Sequence, residues 1–401
     1  MGIDSLPLSG IRVIELAQWV FVPSASAILA ELGADVVRIE HPTQGDPYRA
    51  LATSGYGNSG RSMSIRSAQV NRGKRSIGID LSIPEGKALA HRLIASADVF
   101  MTSFRAGALE RLNLTQAEVE ALNPGIVYAR GDAFGPLGPD SAAPGYDITA
   151  FWARGGIGAL VTDPESARIA KQPPSFGDRI ASLGLAAGIL GALVGKVRTG
   201  RGGEVSSSLM AAAAWVGASD MLTGEAPKEA ARPTVPATPL TTSYRCSDGR
   251  HLMINLMQSE RYWSDFCKAI GAEELTVDPR FLDFAARAGH PDELHAEIAG
   301  RIGAAPLSRW REVFADFDGP WAPVQTVHEA AQDPQVRANA FLLAVDDGSG
   351  EELVRAPFTV GEVPQSLPRA HELGEDTEVV LLEFGVAWEE IEDLKAHGAV
   401  T

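Results

Sequence analysis

Short runs of β-branched residues alternate with helical hydrophobic patterns along the first 130 residues. Patterns with apolar residues three and four positions apart predict helices at residues 23–32, 84–97 and 108–122. Strands that alternate with helices indicate an α/β fold with a mainly parallel sheet, whose ligands bind beyond the carboxyl ends of the strands. The β-branched runs predict five strands, at residues 11–16, 35–40, 75–81, 98–104 and 125–130.

The pattern changes in the second half of the chain. Residues 131–174 are rich in glycine and proline and predict loops, and a long apolar helical pattern opens at Asp178. A proline-rich stretch at residues 225–242 predicts a domain boundary. Beyond it, residues 244–256 predict a hairpin that turns at Asp248-Gly249, and further helical patterns follow. We therefore expect a second, smaller α+β unit.

The most apolar segment, residues 180–194, is 15 residues long. A membrane span needs roughly 20 apolar residues, so this segment predicts a buried helix and we expect no membrane contact. The start of the chain lacks a basic region followed by an apolar run, so we expect no export. Cys246 and Cys267 belong to no CxxC pattern and cannot build a disulfide framework, which favours a cytoplasmic location.

Charge limits the class of partner. Lys and Arg together number 35 and Asp and Glu 51, for a net charge of −16. This excess of negative charge argues against general binding to nucleic acid or to an anionic membrane. Binding of an anionic small molecule remains compatible with this net charge, because the charged residues are unevenly distributed along the chain.

Two stretches are almost free of acidic residues. Residues 47–79 contain none, and between residues 166 and 203 Asp178 stands alone among cations. The first stretch predicts a phosphate or other anion site, with a solvated loop face as the plain alternative. Its cations are Arg49, Arg61, Arg66, Arg72, Lys74 and Arg75.

Asp178 allows two interpretations. An aspartate just before a long apolar helix can cap the helix by accepting hydrogen bonds from exposed backbone N–H groups. It can also act as a carboxylate nucleophile, which needs an electropositive and partly dry setting that a helix amino terminus helps to provide. The residues themselves leave both interpretations open.

Other catalytic motifs are missing from the sequence. Residues 55–60 match GxGxxG formally, but no strand pattern precedes them and no clear helix pattern follows, which makes NAD binding a remote alternative. No GxSxG, HExxH or GxxxxGK[ST] occurs, and the eight histidines have no metal-ligand spacing. We expect no metal site.

Several further blocks of the sequence are distinctive, including ELAQWVFVPSASAILAELGADVVRIEHPTQGDPYR, NRGKRSIGIDLS, SFRAGALERLNL, PGYDITAFWARGG and GDRIASLGLAAGILGALVGKVRTGRGGEV. These blocks resemble the family III CoA-transferases, the group of formyl-CoA transferase and carnitine CoA-transferase, which also includes α-methylacyl-CoA racemase. The resemblance implies an interlocked, ring-like homodimer. It also implies a Rossmann-like large domain of residues 1–224, a small domain of residues 225–330, and a tail of residues 331–401 that returns to the large domain.

The resemblance also implies roles for individual residues. Asp178 of GDR matches the family's catalytic aspartate. Positions that contact CoA in the family match Arg38, Lys74, Phe104, Ala108 and Arg111, and we add the neighbouring Asn71, Arg72 and Arg75. Trp19 and Val20 match the stretch that lines the acyl site, to which we add Tyr146 and Asp147 of the GYD motif.

The implied activity is transfer of CoA from an acyl-CoA to a free carboxylic acid through aspartyl mixed-anhydride and aspartyl-CoA thioester intermediates. CoA would enter as a co-substrate, and no tightly bound cofactor is expected. One alternative is a 2-methylacyl-CoA racemase, but related racemases carry a His in GHD where this chain has Tyr146, and a phenol with a pKa of ~10 is a poor base. Another is an acyl-CoA-binding protein without catalysis.

Overall fold

The computed structural model describes residues 6–50, 64–163, 165–223 and 238–401. The chain forms two compact units, a larger one of Met1–Gly224 with Ala338–Thr401 and a smaller one of Glu225–Arg337. The GxGxxG match at residues 55–60 and the cation Arg61 lie outside the described residues.

Eleven strands and eighteen α-helices occur in the described residues. The strands are β1 Arg12–Leu16, β2 Asp35–Glu40, β3 Arg75–Gly78, β4 Val99–Thr102, β5 Val127–Asp132, β6 Gly203–Ser208, β7 Ser243–Arg245, β8 His251–Ile254, β9 Trp321–Pro323, β10 Leu342–Ala344 and β11 Glu352–Val354. The helices are α1 Phe21–Glu31, α2 Pro47–Ala50, α3 Ile65–Asn71, α4 Pro84–Ala95, α5 Ala106–Leu112, α6 Gln116–Leu122, α7 Ile157–Leu160, α8 Phe176–Thr199, α9 Leu209–Val216, α10 Ala218–Leu222, α11 Ser259–Ala269, α12 Phe284–Gly289, α13 Pro291–Ile302, α14 Leu307–Val313, α15 Val327–Gln332, α16 Pro334–Ala338, α17 Thr377–Glu383 and α18 Trp388–Ala396.

The larger unit is built on a six-stranded parallel sheet of order β3-β2-β1-β4-β5-β6. This confirms the α/β fold and the five strands predicted from the β-branched runs, and β6 adds a sixth. The order reverses between β1 and β4. In a doubly wound sheet, the crevice that binds ligands lies at this reversal, beyond the carboxyl ends of the strands.

Apolar residues cover both faces of the sheet. On one face, α1, α8, α9 and a π-helical segment, Ile148–Arg154, contribute to a core that includes Leu29, Phe151 and Leu185. On the other face, α4, α5 and α6 pack together with α17 and α18 from the end of the chain. The last part of the chain therefore completes the core of the larger unit.

Two helical predictions need correction. The pattern at residues 108–122 is two helices, α5 and α6, because Asn113 adopts the left-handed conformation at φ 54° and ends α5. The long helix α8 begins at Phe176 rather than at Asp178, and only one of its faces is buried. Gly188 allows α8 to approach β6, because a Cβ there would lie 2.6 Å from Val205 Cγ1.

Among the described residues, α8 is the helix that is long and apolar enough to cross a membrane. Core helices of water-soluble domains share this property, and α8 packs against α1 and β6. Its length and composition are therefore weak indications of a membrane span.

The smaller unit contains the antiparallel sheet β7-β8-β9 and a helical layer with its own core. The predicted hairpin is confirmed, with Gly249 at φ 80° in the turn and a hydrogen bond of 2.8 Å from Cys246 N to Arg250 O. Cys246 and Cys267 are both buried free thiols.

Candidate active site

The loop after β1 lies where the strand order reverses. Ser103, directly after β4, fixes this loop, because its hydroxyl accepts a hydrogen bond of 3.0 Å from Gln18 N. Trp19 and Val20 follow in the same loop, and α1 begins at Phe21. The predicted acyl-site residues Trp19 and Val20 therefore lie in the crevice expected for a ligand.

Asp147 caps the amino terminus of α8. Ser175, the residue before the helix, has a left-handed backbone with φ 59° and no capping side-chain bond. Asp147, 30 residues before Gly177 in the chain, accepts hydrogen bonds from Gly177 N, at 3.1 and 3.2 Å to its two oxygens, and from the backbone N–H of Asp178. Asp178 lies in the first turn, so its interpretation as the helix cap is wrong.

The Asp178 carboxylate is left without a structural partner. No hydrogen bond to its oxygens comes from any residue that the structure describes. Burial, together with the nearby charge of Asp147, raises the pKa of Asp178 to about 7, while Arg179 acts in the opposite direction. A half-buried carboxylate with a strongly raised pKa is characteristic of a functional site.

Three aromatic side chains form a wall near Asp178. The Trp19 ring lies 5.5 Å from Tyr146 in an edge-to-face arrangement and 6.4 Å from Tyr48, measured between centroids. Tyr48 hydrogen bonds with the Ser175 side chain at the start of α8. It is close enough to Asp178 for the carboxylate charge to contribute to a raised pKa of Tyr48, whose main cause is burial. We call Trp19, Tyr48 and Tyr146 the aromatic wall.

Three of the predicted CoA-binding residues, Arg38, Asn71 and Lys74, form a buried network. Lys74 Nζ donates to Glu15 Oε2 at 2.7 Å and to Pro23 O at 2.8 Å, and Arg38 pairs with Asp46 and bonds to Asn71. Burial lowers the pKa of Lys74 to about 8 although Glu15 opposes the shift. Burial also disfavours the charge of Arg38, but its carboxylate neighbours raise the pKa above the ordinary value.

The remaining cations of the acid-free stretch mostly have partners as well. Arg49 pairs with Glu40, Arg72 with Glu31 and Arg75 with Asp35, at N–O distances of 2.8, 2.8 and 2.6 Å. Arg66 is exposed, and within the described ranges no carboxylate pairs with it. Carboxylates therefore neutralise most of these cations, and an anion site here, with CoA binding by Arg38, Asn71, Arg72, Lys74 and Arg75, stays a prediction.

The other predicted CoA-binding residues are more accessible. Phe104 and Ala108 are half-buried at the start of α5, and Arg111 is exposed at its end. They follow the carboxyl end of β4, so they lie at the same edge of the sheet as the loop that carries Trp19.

Sequence reasoning missed Asp46, Tyr48 and Arg179. Tyr48 and Asp46 belong to the GDPYR run of the family resemblance, but nothing local to that run connects it to α8. Arg179 directly follows Asp178 and donates to Ser24 Oγ at 3.2 Å. No group of three metal-ligating His, Cys, Asp or Glu side chains occurs in the described part of the chain.

Comparison with known proteins decides the family. Residues 8–377 match the sequence profile of CoA-transferase family III. The chain belongs to this family. This confirms the resemblance drawn from the sequence blocks, and the protein is a CoA-transferase.

Proteins of known name and a solved structure match nearly the whole chain. A (R)-2-hydroxy-4-methylpentanoate CoA-transferase from Clostridioides difficile is 30% identical, over 97% of this chain and 98% of the relative. A cinnamoyl-CoA:phenyllactate CoA-transferase from Clostridium sporogenes is 32% identical, over 96% and 95%. The crystal structure of a CAIB/BAIF family protein from Brucella suis superimposes with a TM-score of 0.81 at 28% identity, covering 94% of this chain and 99% of that one.

Proposed function

We propose that the protein transfers CoA from an acyl-CoA to a free carboxylic acid, with Asp178 as the nucleophile. The observation that supports this role most is the half-buried Asp178 carboxylate at the start of α8. It has no structural hydrogen-bond partner among the described residues, and its pKa is raised to about 7. A carboxylate with weak solvation reacts more readily with a carbonyl carbon than one held by hydrogen bonds.

The proposed reaction has four steps. Asp178 attacks the thioester carbonyl, which gives a mixed anhydride and releases the CoA thiolate. The thiolate attacks the aspartyl carbonyl, releases the donor carboxylate and leaves an aspartyl-CoA thioester. The acceptor carboxylate attacks this thioester and releases the thiolate again, which then attacks the acyl carbonyl of the new anhydride. The products are the acceptor's acyl-CoA and a free Asp178.

The first turn of α8 supports the charge changes of these steps. Asp147 occupies the N–H groups of Gly177 and Asp178, so these groups are not donors for an oxyanion. Their dipoles, together with the Arg179 guanidinium next to Asp178, still favour negative charge at this end of the helix. We propose that Arg179 stabilises the negative charge that develops on the reacting carbonyl oxygen.

Trapping the covalent intermediate tests Asp178. With an active acyl-CoA donor, hydroxylamine is expected to convert the Asp178 side chain to a hydroxamate, detected by peptide mass spectrometry. Asp178→Asn is expected to lose the adduct and at least about 10³-fold in transfer rate, because the neutral amide cannot attack. The exposed Asp163 is the matched control, and Asp163→Asn should keep both. An active Asp178→Asn protein would contradict the proposal.

We further propose that the transferred acid carries a branched or aryl apolar side chain and a 2-hydroxyl group. The aromatic wall supports an apolar side chain, because aromatic edges pack well against branched and aryl groups. The names of the two relatives at 30% and 32% identity, which specify 2-hydroxy-4-methylpentanoate and phenyllactate, support the same class.

A panel of free acids with one acyl-CoA donor tests this class. New thioesters measured by mass spectrometry are expected with phenyllactate and 2-hydroxy-4-methylpentanoate, at kcat/KM values at least about tenfold above those with oxalate or succinate. A preference for a dicarboxylic acid would contradict the substrate class and leave the role of Asp178 intact.

The finer expectations from the resemblance also remain proposals. We propose a Rossmann-like larger unit and a homodimer, and an exposed apolar surface on α8, α9 and α10 supports the dimer. The buried free thiols of Cys246 and Cys267 agree with the reducing cytoplasm proposed as the location.

A further inference from the structure

Trp19 has an unusual backbone conformation. Its φ of 70° lies in the left-handed region, which is unfavourable for a residue with a large side chain. Such a conformation persists only where surrounding groups determine it, and it occurs often at functional sites.

Asp46 is the group that determines this conformation. Its two carboxylate oxygens accept the Trp19 backbone N–H at 3.2 and 3.1 Å, and Oδ1 also accepts Tyr48 N at 2.8 Å. A single buried carboxylate therefore holds the backbone of two members of the aromatic wall.

Arg38 holds the Asp46 side chain in place. The Asp46 side chain is fully buried, and its Oδ2 accepts from Arg38 Nη2, which also reaches Ala17 O at 3.3 Å. Arg38 thus binds the backbone carbonyl of Ala17, two residues before Trp19, while Asp46 binds the backbone N–H of Trp19. The ion pair therefore holds the loop after β1 at two points.

We propose that Asp46 is a positioning residue that sets which acyl group is accepted at Asp178. By holding Trp19 in the left-handed conformation, it directs the indole onto Tyr48 and Tyr146 and so builds the aromatic wall. Return of Trp19 to a negative φ would redirect its side chain and open the wall. This proposal rests on the proposed function.

The first test follows the Trp19 side chain without any assay of activity. The chain has seven tryptophans, and in protein labelled with 5-fluorotryptophan the Trp19 resonance is assigned by its loss in Trp19→Phe. Asp46→Asn is expected to shift or broaden that ¹⁹F resonance and to leave the other six unchanged. An unchanged Trp19 resonance in Asp46→Asn would overturn the proposal.

The second test measures selectivity as the ratio of kcat/KM for phenyllactate to kcat/KM for a small acid such as acetate. Asp46→Asn is expected to lower this ratio at least about tenfold, through the KM of phenyllactate, while kcat with acetate changes much less. Trp19→Gly, which accepts φ 70° without strain, is expected to lower it equally. In the double variant the selectivity ratio should fall no further than in either single variant. Losses of selectivity that add in the double variant would overturn the proposal.

Asp98 is the matched control. It too accepts a backbone N–H, that of Arg12 at 3.0 Å, and pairs with a cation, Lys196 at 2.8 Å, but it lies at the opposite, amino edge of the sheet. Asp98→Asn should change neither the ratio nor the Trp19 resonance. If Asp46→Asn does not fold, Asp46→Glu keeps the charge beside Arg38 while displacing the carboxylate, and wild-type selectivity in that variant overturns the proposal.

The transfer assay and the ¹⁹F measurement distinguish failure of the proposed function from failure of the proposed role of Asp46. A wild-type protein that transfers no CoA to any acid contradicts the proposed function. A Trp19 resonance that still responds to Asp46→Asn in that protein supports the positioning of Trp19 by Asp46, and an unresponsive one overturns it.

Discussion

At the scale of single residues, Asp147 and Asp178 are two neighbouring carboxylates in different environments. Burial raises the pKa of both, but Asp147 is stabilised as an anion by Gln172 and by two backbone N–H groups, whereas Asp178 has no such donors among the described residues. These donors favour the charged form of Asp147 and have no counterpart at Asp178 among the described residues. The environment of Asp147 fits its role as the cap of α8, and that of Asp178 fits its proposed role as the nucleophile.

The proximity of the two carboxylates predicts a pH dependence. Only ionised Asp178 attacks, so kcat/KM for the acyl-CoA should fall as the pH drops below about 7, the pKa to which burial and Asp147 raise Asp178. Asp147→Asn removes the nearby negative charge, which lowers the pKa of Asp178. The acidic limb of the kcat/KM profile should consequently move to lower pH.

The amide oxygen introduced by Asp147→Asn can still accept the backbone N–H groups, so the variant isolates the effect of charge. Asp163→Asn, at an exposed site, should leave the limb in place. A limb that stays fixed or moves to higher pH in Asp147→Asn would show that Asp178 is not the group observed.

At the scale of an element, the start of α8 depends on Gly177. A Cβ at this position would lie 2.3 Å from both Asp147 Oδ1 and Phe151 Cγ. The absence of a side chain therefore lets the capping carboxylate reach the backbone N–H of Gly177, and it lets the π-helical segment pack against the first turn of the helix.

Gly177→Ala is predicted to destabilise the fold by about 1–3 kcal/mol, because the new methyl group must displace Asp147 or Phe151. CoA transfer should fall as well, since the first turn carries Asp178. Urea unfolding and the rate of transfer measure the two effects.

Gly300→Ala on α13 is the control for this substitution, because a Cβ there meets nothing within 4 Å. It should stabilise by about 0.5–1 kcal/mol, as alanine does in a helix interior. Equal stability of Gly177→Ala and the wild type would contradict the packing argument.

At the scale of the whole molecule, α8, α9 and α10 expose large apolar side chains. Val197 is 86% exposed, Trp215 82% and Leu222 85%, and these three helices pack in succession. Large apolar side chains exposed on neighbouring helices are typical of an interaction site. We take its occupant to be a second copy of the chain, as the family resemblance implies.

Leu222→Asp is predicted to weaken this dimer, because a charge would be buried at the contact without a partner. Light scattering coupled to size exclusion should show a dimer for the wild type and a concentration-dependent mixture with monomer for the variant. Val379→Asp, on α17, replaces an apolar side chain that is 57% exposed and should remain dimeric. A monomeric wild type would overturn the dimer.

The α/β fold could be predicted from sequence patterns, because the alternation of β-branched runs and helical patterns is local and each run carries its own signal. Asp178 could be singled out in the same way, through its isolation among cations and the GDR block. The segment that forms β6 has little apolar pattern, and among the described strands it pairs with β5 alone, so no local signal predicts it.

The partners of the charged residues, in contrast, depend on the folded arrangement of the chain. Asp147 caps α8 from 30 residues before Gly177, and Lys74, which directly precedes β3, pairs with Glu15 on β1. Because burial makes pairing obligatory for such charges, a cation-rich stretch that looks free in the sequence becomes neutralised in the fold. The same folded arrangement leaves Asp178 half-buried and without a hydrogen-bond donor among the described residues, and no local sequence pattern could have predicted this.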